Sequence, residues 1–121
     1  MEDLDLRILE TALQTRTREL VRSLAERNQI AIERSADGFD ATLLAAEREF
    51  SARTLEQDSM LLRQVEAARE RIRDGTFGVC LRCEEEIALK RLRAVPWAAY
   101  CLACQEKAEG AAFRAGLVRA A

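Results

Sequence analysis

The four cysteines are the residues whose type and spacing most directly indicate chemistry. They follow the pattern Cys80-x2-Cys83-x17-Cys101-x2-Cys104, and the chain has no other cysteine. Each Cys-x2-Cys pair places two sulfurs at adjacent corners of a tetrahedron, and the intervening loop brings the second pair to the other two corners. The spacing therefore predicts one structural Zn²⁺ bound by Cys80, Cys83, Cys101 and Cys104.

Two disulfides or a thioredoxin-like redox pair are the alternative uses of such motifs. Both fit less well, because residues 1–13 are too acidic for a signal peptide and no strand-helix-strand context surrounds the cysteines. The chain contains no histidine, which excludes imidazole catalysis and histidine-ligated metals. Since four thiolates saturate a tetrahedral zinc, no position stays open to activate water, and we expect no enzymatic activity.

The residues around the cysteines are too few and too small to form a sufficient core without metal. A modest apolar shell is expected from Phe77, Ile87, Leu92, Val95, Pro96, Trp97 and Tyr100. Glu84 and Gln105 follow the second cysteine of each pair, where glycine is common because the backbone often takes a positive φ. Some strain or a variant turn is therefore predicted at both positions.

The elements that must carry this site are mainly α-helical. The chain has 121 residues, 33% of them charged, with five Gly and one Pro, a balance that favours long helices over a β-sandwich. The predicted architecture is a long antiparallel helical hairpin, a coiled coil, followed by a small four-cysteine zinc-finger globule and a C-terminal helix. We assign residues 1–74 to the hairpin, with its tip at 35–42, and residues 75–121 to the zinc region.

Each arm of the hairpin carries a stripe of apolar residues at three-four spacing, and a turn-rich segment at 35–40 separates the arms. The predicted stripe of the first arm is Leu6, Leu9, Leu13, Leu20, Leu24 and Ala31; that of the second is Leu43, Ala46, Phe50, Leu61, Val65, Ala68 and Ile72. A short connection makes such arms antiparallel, so the stripes should bury each other. Gly75 is predicted to end the second helix.

Charge and hydropathy narrow the choice of partners. The net charge is −2, so the chain lacks the overall positive charge with which proteins attract the DNA backbone. No direct sequence-specific DNA binding is therefore expected. No apolar run approaches the length of a membrane span. We therefore expect a cytoplasmic protein without membrane contact.

The motif Gly75-x-Phe77-Gly78-x-Cys80-x2-Cys83, with the later Ile87, Arg91-Leu92, Pro96, Cys101 and Cys104, resembles the DksA/TraR family of bacterial transcription factors. The preceding helical hairpin also has the right length. The resemblance implies a regulator that binds RNA polymerase without binding promoter DNA. It further implies that the coiled coil enters the secondary channel, where acids at its tip approach the active centre and alter initiation.

The family tip carries Asp-x-x-Asp-x-Ala, and a gap-free count from the first cysteine places Asp37, Asp40 and Thr42 on it. Both acids are present, and threonine replaces the alanine. The resemblance thus implies a polymerase-contacting tip, although both acids also suit a turn and a helix cap. Arg91 and Arg93 are candidates for a contact on the outside of the polymerase.

Some family members bind ppGpp jointly with the polymerase through basic residues near the zinc region. The same count places those positions at Gln64, Val95 and Gln105, none of which is basic. Because phosphate recognition relies on Arg and Lys, ppGpp binding is not expected.

A different class of function remains open from the residues alone. A zinc-stabilised coiled-coil protein with another partner, and with no transcriptional activity, would show the same cysteines and the same apolar stripes. In that case the tip acids would serve only as caps.

Overall fold

The computed structural model describes the backbone of residues 1–36 and 41–120 and the side chains of residues 1–30 and 45–111. Its helices are α1 (Asp3–Ala36), α2 (Ala41–Asp74), α3 (Leu89–Ala94) and α4 (Leu102–Ala120). The described backbone contains no strand, only an isolated antiparallel bridge between Val79 and Glu86. This confirms the predicted mainly α fold class.

Helices α1 and α2 form an antiparallel hairpin. Each has 34 residues, which at 1.5 Å per residue makes arms of about 50 Å. Near the base of the hairpin, Leu13 and Leu20 of α1 pack with Val65 and Ala68 of α2, all four buried. These residues lie on the predicted stripes, so the mutual burial expected for the base is confirmed.

Farther from the base, the predicted stripe of α2 is wrong. Phe50 is 73% exposed and Ala46 is also exposed, whereas Glu47, Ser51, Thr54 and Asp58 are partly buried. The buried positions continue at three-four spacing back from Leu61, Val65 and Ala68, and apart from Leu55 that spacing reaches mostly polar residues. The prediction followed the apolar residues instead, which lie one position away from the face that the helix geometry turns inward.

Two members of the predicted stripes cannot be compared in this way. Ala31 and Leu43 have side chains outside the described residues.

Helix α2 ends at Gly75, as predicted. The N–H of Gly75 donates to the carbonyl of Ile72 at 3.3 Å and that of Thr76 to the carbonyl of Arg71 at 2.9 Å. This pair of bonds is a Schellman motif, which needs a left-handed residue at its corner. Gly75 supplies it with φ 77° at no side-chain cost.

The zinc region packs around a small core that includes two of the cysteines. The buried members are Leu9, Cys80, Ile87, Leu92, Ala98 and Cys104, with Phe77, Leu89, Val95 and Cys101 packed against them. Leu9 belongs to α1, so the base of the hairpin contributes directly to this core. Pro96 is buried, and Trp97 packs instead against the apolar cluster of the hairpin.

Tyr100 differs from the expected shell, because it is 38% exposed. Within the described parts of the chain, no helix is long and apolar enough to cross a lipid bilayer.

Candidate metal centre

The four predicted ligands lie together. The sulfurs of Cys80, Cys83, Cys101 and Cys104 are all within 4.8 Å of one another, and Cys83 Sγ is 3.8 Å from Cys101 Sγ. A tetrahedron with Zn–S bonds of about 2.3 Å has edges of about 3.8 Å. The separation of the sulfurs therefore fits one tetrahedral zinc ion.

The first cysteine pair lies on a tight turn. The N–H of Cys80 donates to the carbonyl of Glu85 at 2.8 Å, and the N–H of Glu84 donates to the carbonyl of Cys80 at 3.0 Å. Closing this turn requires a left-handed residue, and Glu84 takes φ 63°. Glu84 thus keeps the positive φ that is usual at this position, and the strain predicted there is what the structure shows, with a side chain in a conformation that favours glycine.

The second cysteine pair is built differently, because it opens a helix. Helix α4 begins at Leu102, and the N–H of Gln105 donates to the carbonyl of Cys101 at 2.9 Å. Gln105 therefore lies in helical backbone and has no positive φ, so the variant turn predicted there is confirmed. The two pairs are joined where the N–H of Leu81 donates to the carbonyl of Ala99 at 2.9 Å.

The thiols of this cluster differ in acidity. Burial acts to raise the pKa of Cys80, but the backbone N–H groups of Cys83, Cys101 and Arg82 lower it, to about 6. Hydrogen bonding with Cys101, followed by burial, raises the pKa of Cys104 to about 12. Without a cation, the Cys80 thiol therefore ionises more readily than the Cys104 thiol. A divalent ion at the centre offsets the mutual repulsion and allows all four sulfurs to ionise.

The metal centre lies at the edge of the zinc region. Cys80 is 1% and Cys104 7% exposed, whereas Cys83 is exposed and Cys101 half-buried. All four ligands come from the protein, so the site matches a structural zinc centre with no open coordination position. An ion held there would connect the turn of the first cysteine pair, which follows Phe77, to the start of α4.

The two arginines proposed as outer contacts both have partners within the chain. Arg91 Nε donates to the carbonyl of Tyr100 at 3.0 Å. Arg93 Nη2 lies 3.5 Å from Asp5 Oδ1, with the Arg93 side chain 66% exposed. Arg91 thereby holds α3 to the second cysteine pair, and Arg93 links α3 to the first turns of α1.

The contacts of the proposed tip residues are not described by the structure. Asp37 and Asp40 lie outside the described residues, as does the side chain of Thr42. Their role stays a prediction.

The three positions considered for ppGpp line one cleft. Gln64, Val95 and Gln105 border a cavity of about 560 Å³ between α2, the zinc region and α4, together with Arg71 and Arg91. No basic residue stands at the three counted positions, but two guanidinium groups line the same cleft.

Sequence reasoning missed Arg71. Burial lowers its pKa, and its Nη2 atom is buried without a hydrogen-bond partner among the described residues. The available signal was its place seven residues after Gln64, two turns along the same face of α2.

Comparison with known proteins bears on both the zinc region and the whole fold. Residues 75–110 match the family model described as the prokaryotic dksA/traR C4-type zinc finger. The chain is 36% identical over 67 residues to the RNA polymerase-binding transcription factor DksA of Escherichia coli K12, a match covering 54% of this chain and 44% of that protein. The match to such curated sequence relatives thus spans less than half of their length.

Two solved structures resemble nearly the whole chain. Transcription factor DksA2 from Pseudomonas aeruginosa superimposes with a TM-score of 0.80 at 25% identity, covering 91% of this chain and 87% of that one. The DnaK suppressor protein from Agrobacterium tumefaciens C58 superimposes with a TM-score of 0.61 at 31% identity, covering 88% of this chain and 96% of that one. The likeness thus includes the hairpin as well as the zinc finger.

Proposed function

Because this chain belongs to the DksA/TraR family, we propose that it is a transcription regulator that binds RNA polymerase. It acts in the cytoplasm, without an enzymatic activity of its own and without sequence-specific contact to promoter DNA. The observation that carries the proposal is the joint presence of a four-cysteine zinc globule and a long hairpin in an arrangement shared with DksA2 over 91% of the chain.

The hairpin is the part suited to act at a distance. We propose that it enters the secondary channel of the polymerase and brings Asp37, Asp40 and Thr42 near the active centre. Support comes from the dimensions, because an arm of about 50 Å and two helices wide can reach where a globular domain does not fit. The acidic pair would act there on a basic or metal-bearing centre.

The zinc region is the part suited to bind outside the channel. We propose that Arg91 and Arg93 contribute to this outer contact. Arg93 keeps 66% of its side chain exposed while paired with Asp5, so it is available to a partner. Arg91 is held at the rim of the cleft through Tyr100.

The alarmone ppGpp is not expected to act through this protein. Gln64, Val95 and Gln105 offer no cation to a phosphate, and Arg91 already donates through Nε to the carbonyl of Tyr100. In a promoter assay, the change that this protein causes should be the same with and without ppGpp, once the effect of ppGpp on the polymerase alone is subtracted. Synergy that disappears in the Arg71→Ala variant would contradict this expectation and assign the site to the arginine cleft.

Binding to core RNA polymerase tests the proposed function. The zinc-loaded protein is titrated with and without a competitor that occupies the secondary channel, and the Asp37→Ala, Asp40→Ala double variant serves as a comparison. We expect saturable binding that the competitor abolishes. Absence of binding at micromolar concentration would reject the proposal in favour of a zinc-stabilised coiled coil with another partner.

A further inference from the structure

The seam between α1 and α2 changes character along the hairpin. Near the base it is apolar, formed by Leu13, Leu20, Val65 and Ala68. Beyond Leu61, the partly buried positions of α2 are mostly polar, namely Ser59, Asp58, Thr54, Ser51 and Glu47, and Leu55 is the apolar member. We call this stretch, residues 47–58 of α2 and the facing part of α1, the polar seam.

The ion pair between Arg27 and Asp58 crosses from helix to helix where the polar seam begins. Arg27 Nη1 lies 2.7 Å from Asp58 Oδ2, and the two side chains are 34% and 21% exposed. The contact is electrostatic rather than a well-aligned hydrogen bond, and the Nη1 atom is shielded from solvent. Since Arg27 is on α1 and Asp58 on α2, this contact ties the two arms together.

Three polar contacts among the described residues of the hairpin act within one helix. Arg16 pairs with Glu19 at 3.1 Å and Arg53 with Glu49 at 2.7 Å, and all four side chains are at least 40% exposed. The Thr54 hydroxyl donates to the carbonyl of Phe50, in its own helix, at 2.9 Å. These contacts support the separate helices and do not fix one against the other.

A polar seam specifies the pairing of two helices less well than an apolar one. Interlocking apolar side chains set the register of a coiled coil, and where they are missing a buried polar pair commonly takes over that role. Removing one partner of such a pair leaves a partly buried charge without compensation. Arg27 and Asp58 therefore matter more to the pairing of the arms than an exposed pair of equal length.

We propose that Arg27 and Asp58 are positioning residues, which hold the polar seam closed and thereby set where the far end of the hairpin lies. Ala41, the first residue of α2, is 17 positions from Asp58, or about 25 Å along the helix. A change of about 5° in helix direction at the pair moves that end by about 2 Å, enough to alter a charge contact. The functional consequence rests on the proposed tip role, whereas the positioning itself does not.

Hydrogen exchange on the full, zinc-loaded chain tests the positioning. The Arg27→Leu variant should raise amide exchange in residues 45–57 by about tenfold, as expected for an uncompensated, partly buried charge. Exchange in residues 61–72, beside the apolar part of the seam, should change less than about twofold. The matched control is Arg22→Leu, which removes an exposed arginine of the same helix and should change neither segment.

A charge reversal separates positioning from general damage. The double variant Arg27→Asp, Asp58→Arg should return exchange in residues 45–57 to within about threefold of the unsubstituted chain, because the pair is re-formed. Unchanged exchange in Arg27→Leu would overturn the proposal. Failure of the reversal to restore protection in a chain that still binds one zinc would overturn it as well.

The polymerase supplies a second readout with its own outcome. If the chain binds polymerase, Arg27→Leu should retain binding and lose most of the transcriptional effect, and the charge reversal should regain it. If the unsubstituted chain did not bind polymerase, the proposed function would be rejected. The hydrogen-exchange result would still test the positioning by Arg27 and Asp58. Full transcriptional activity of Arg27→Leu, despite faster exchange, would show that the pair does not position the tip.

Discussion

Removing zinc is expected to unfold residues 75–111 and to loosen the base of the hairpin. The buried core of this region has only three large side chains, Leu9, Ile87 and Leu92, and includes Cys80 and Cys104 themselves. Metal binding contributes on the order of 10 kcal/mol to the folding of such sites, more than this core can replace. A strong chelator should therefore shift Trp97 emission to longer wavelength and reduce the helical circular dichroism signal only in part.

The Cys80→Ser variant should reproduce this state without a chelator. Its control is Leu81→Ala, which changes the neighbouring residue, 56% exposed, and leaves all four ligands in place. The control should bind one zinc and keep native Trp97 emission. If a Cys80→Ser chain without metal kept the native Trp97 emission and the native resistance to proteolysis, the core would be shown to fold without zinc.

Asp40→Asn is expected to abolish the transcriptional effect while preserving polymerase binding. Asparagine caps a helix about as well as aspartate, so the substitution removes the charge and keeps a possible cap. We expect binding within about threefold of the unsubstituted chain and a transcriptional effect reduced by at least about tenfold, equivalent to about 1.4 kcal/mol. Filter binding to core polymerase and a single-round transcription assay measure the two quantities.

The matched control for Asp40→Asn is Glu56→Gln. Glu56 is an exposed acid of α2, so its substitution makes the same change in net charge away from the tip. It should alter neither binding nor transcription. Normal transcription by Asp40→Asn would mean that this acid is only a cap, and equal losses in both variants would indicate a general effect of charge.

The zinc ligands and the hairpin were predictable because each follows from short-range rules. Cysteine spacing determines which sulfurs can share an ion, and the three-four apolar spacing at Leu13, Leu20 and Val65 determines which faces meet. Gly75 was predictable for a similar reason, since the helix end needs a residue that accepts a positive φ.

The polar seam and the arginine cleft were not predictable in the same way. Phe50 is apolar and close to helical register, so composition placed it inward, but the geometry of α2 continues the stripe through Ser51 and Thr54. Helical spacing places Arg71 on the same face of α2 as Gln64, but the cleft itself exists only because the zinc region folds back against that helix. Gln105 shows the same limit, because the helix that begins at Leu102 decided its backbone.

Leu9 connects the first helix to a part of the chain that is made much later. It shares a buried cluster with Ile87, Leu92 and Cys104, so its burial depends on contacts more than seventy residues away. During synthesis, α1 must therefore leave the ribosome with Leu9 still facing water until the second cysteine pair emerges and metal is captured. Contacts between residues so far apart in the chain form slowly. The supply of zinc to the nascent chain should therefore govern the yield of folded protein as much as the stability of the folded protein does.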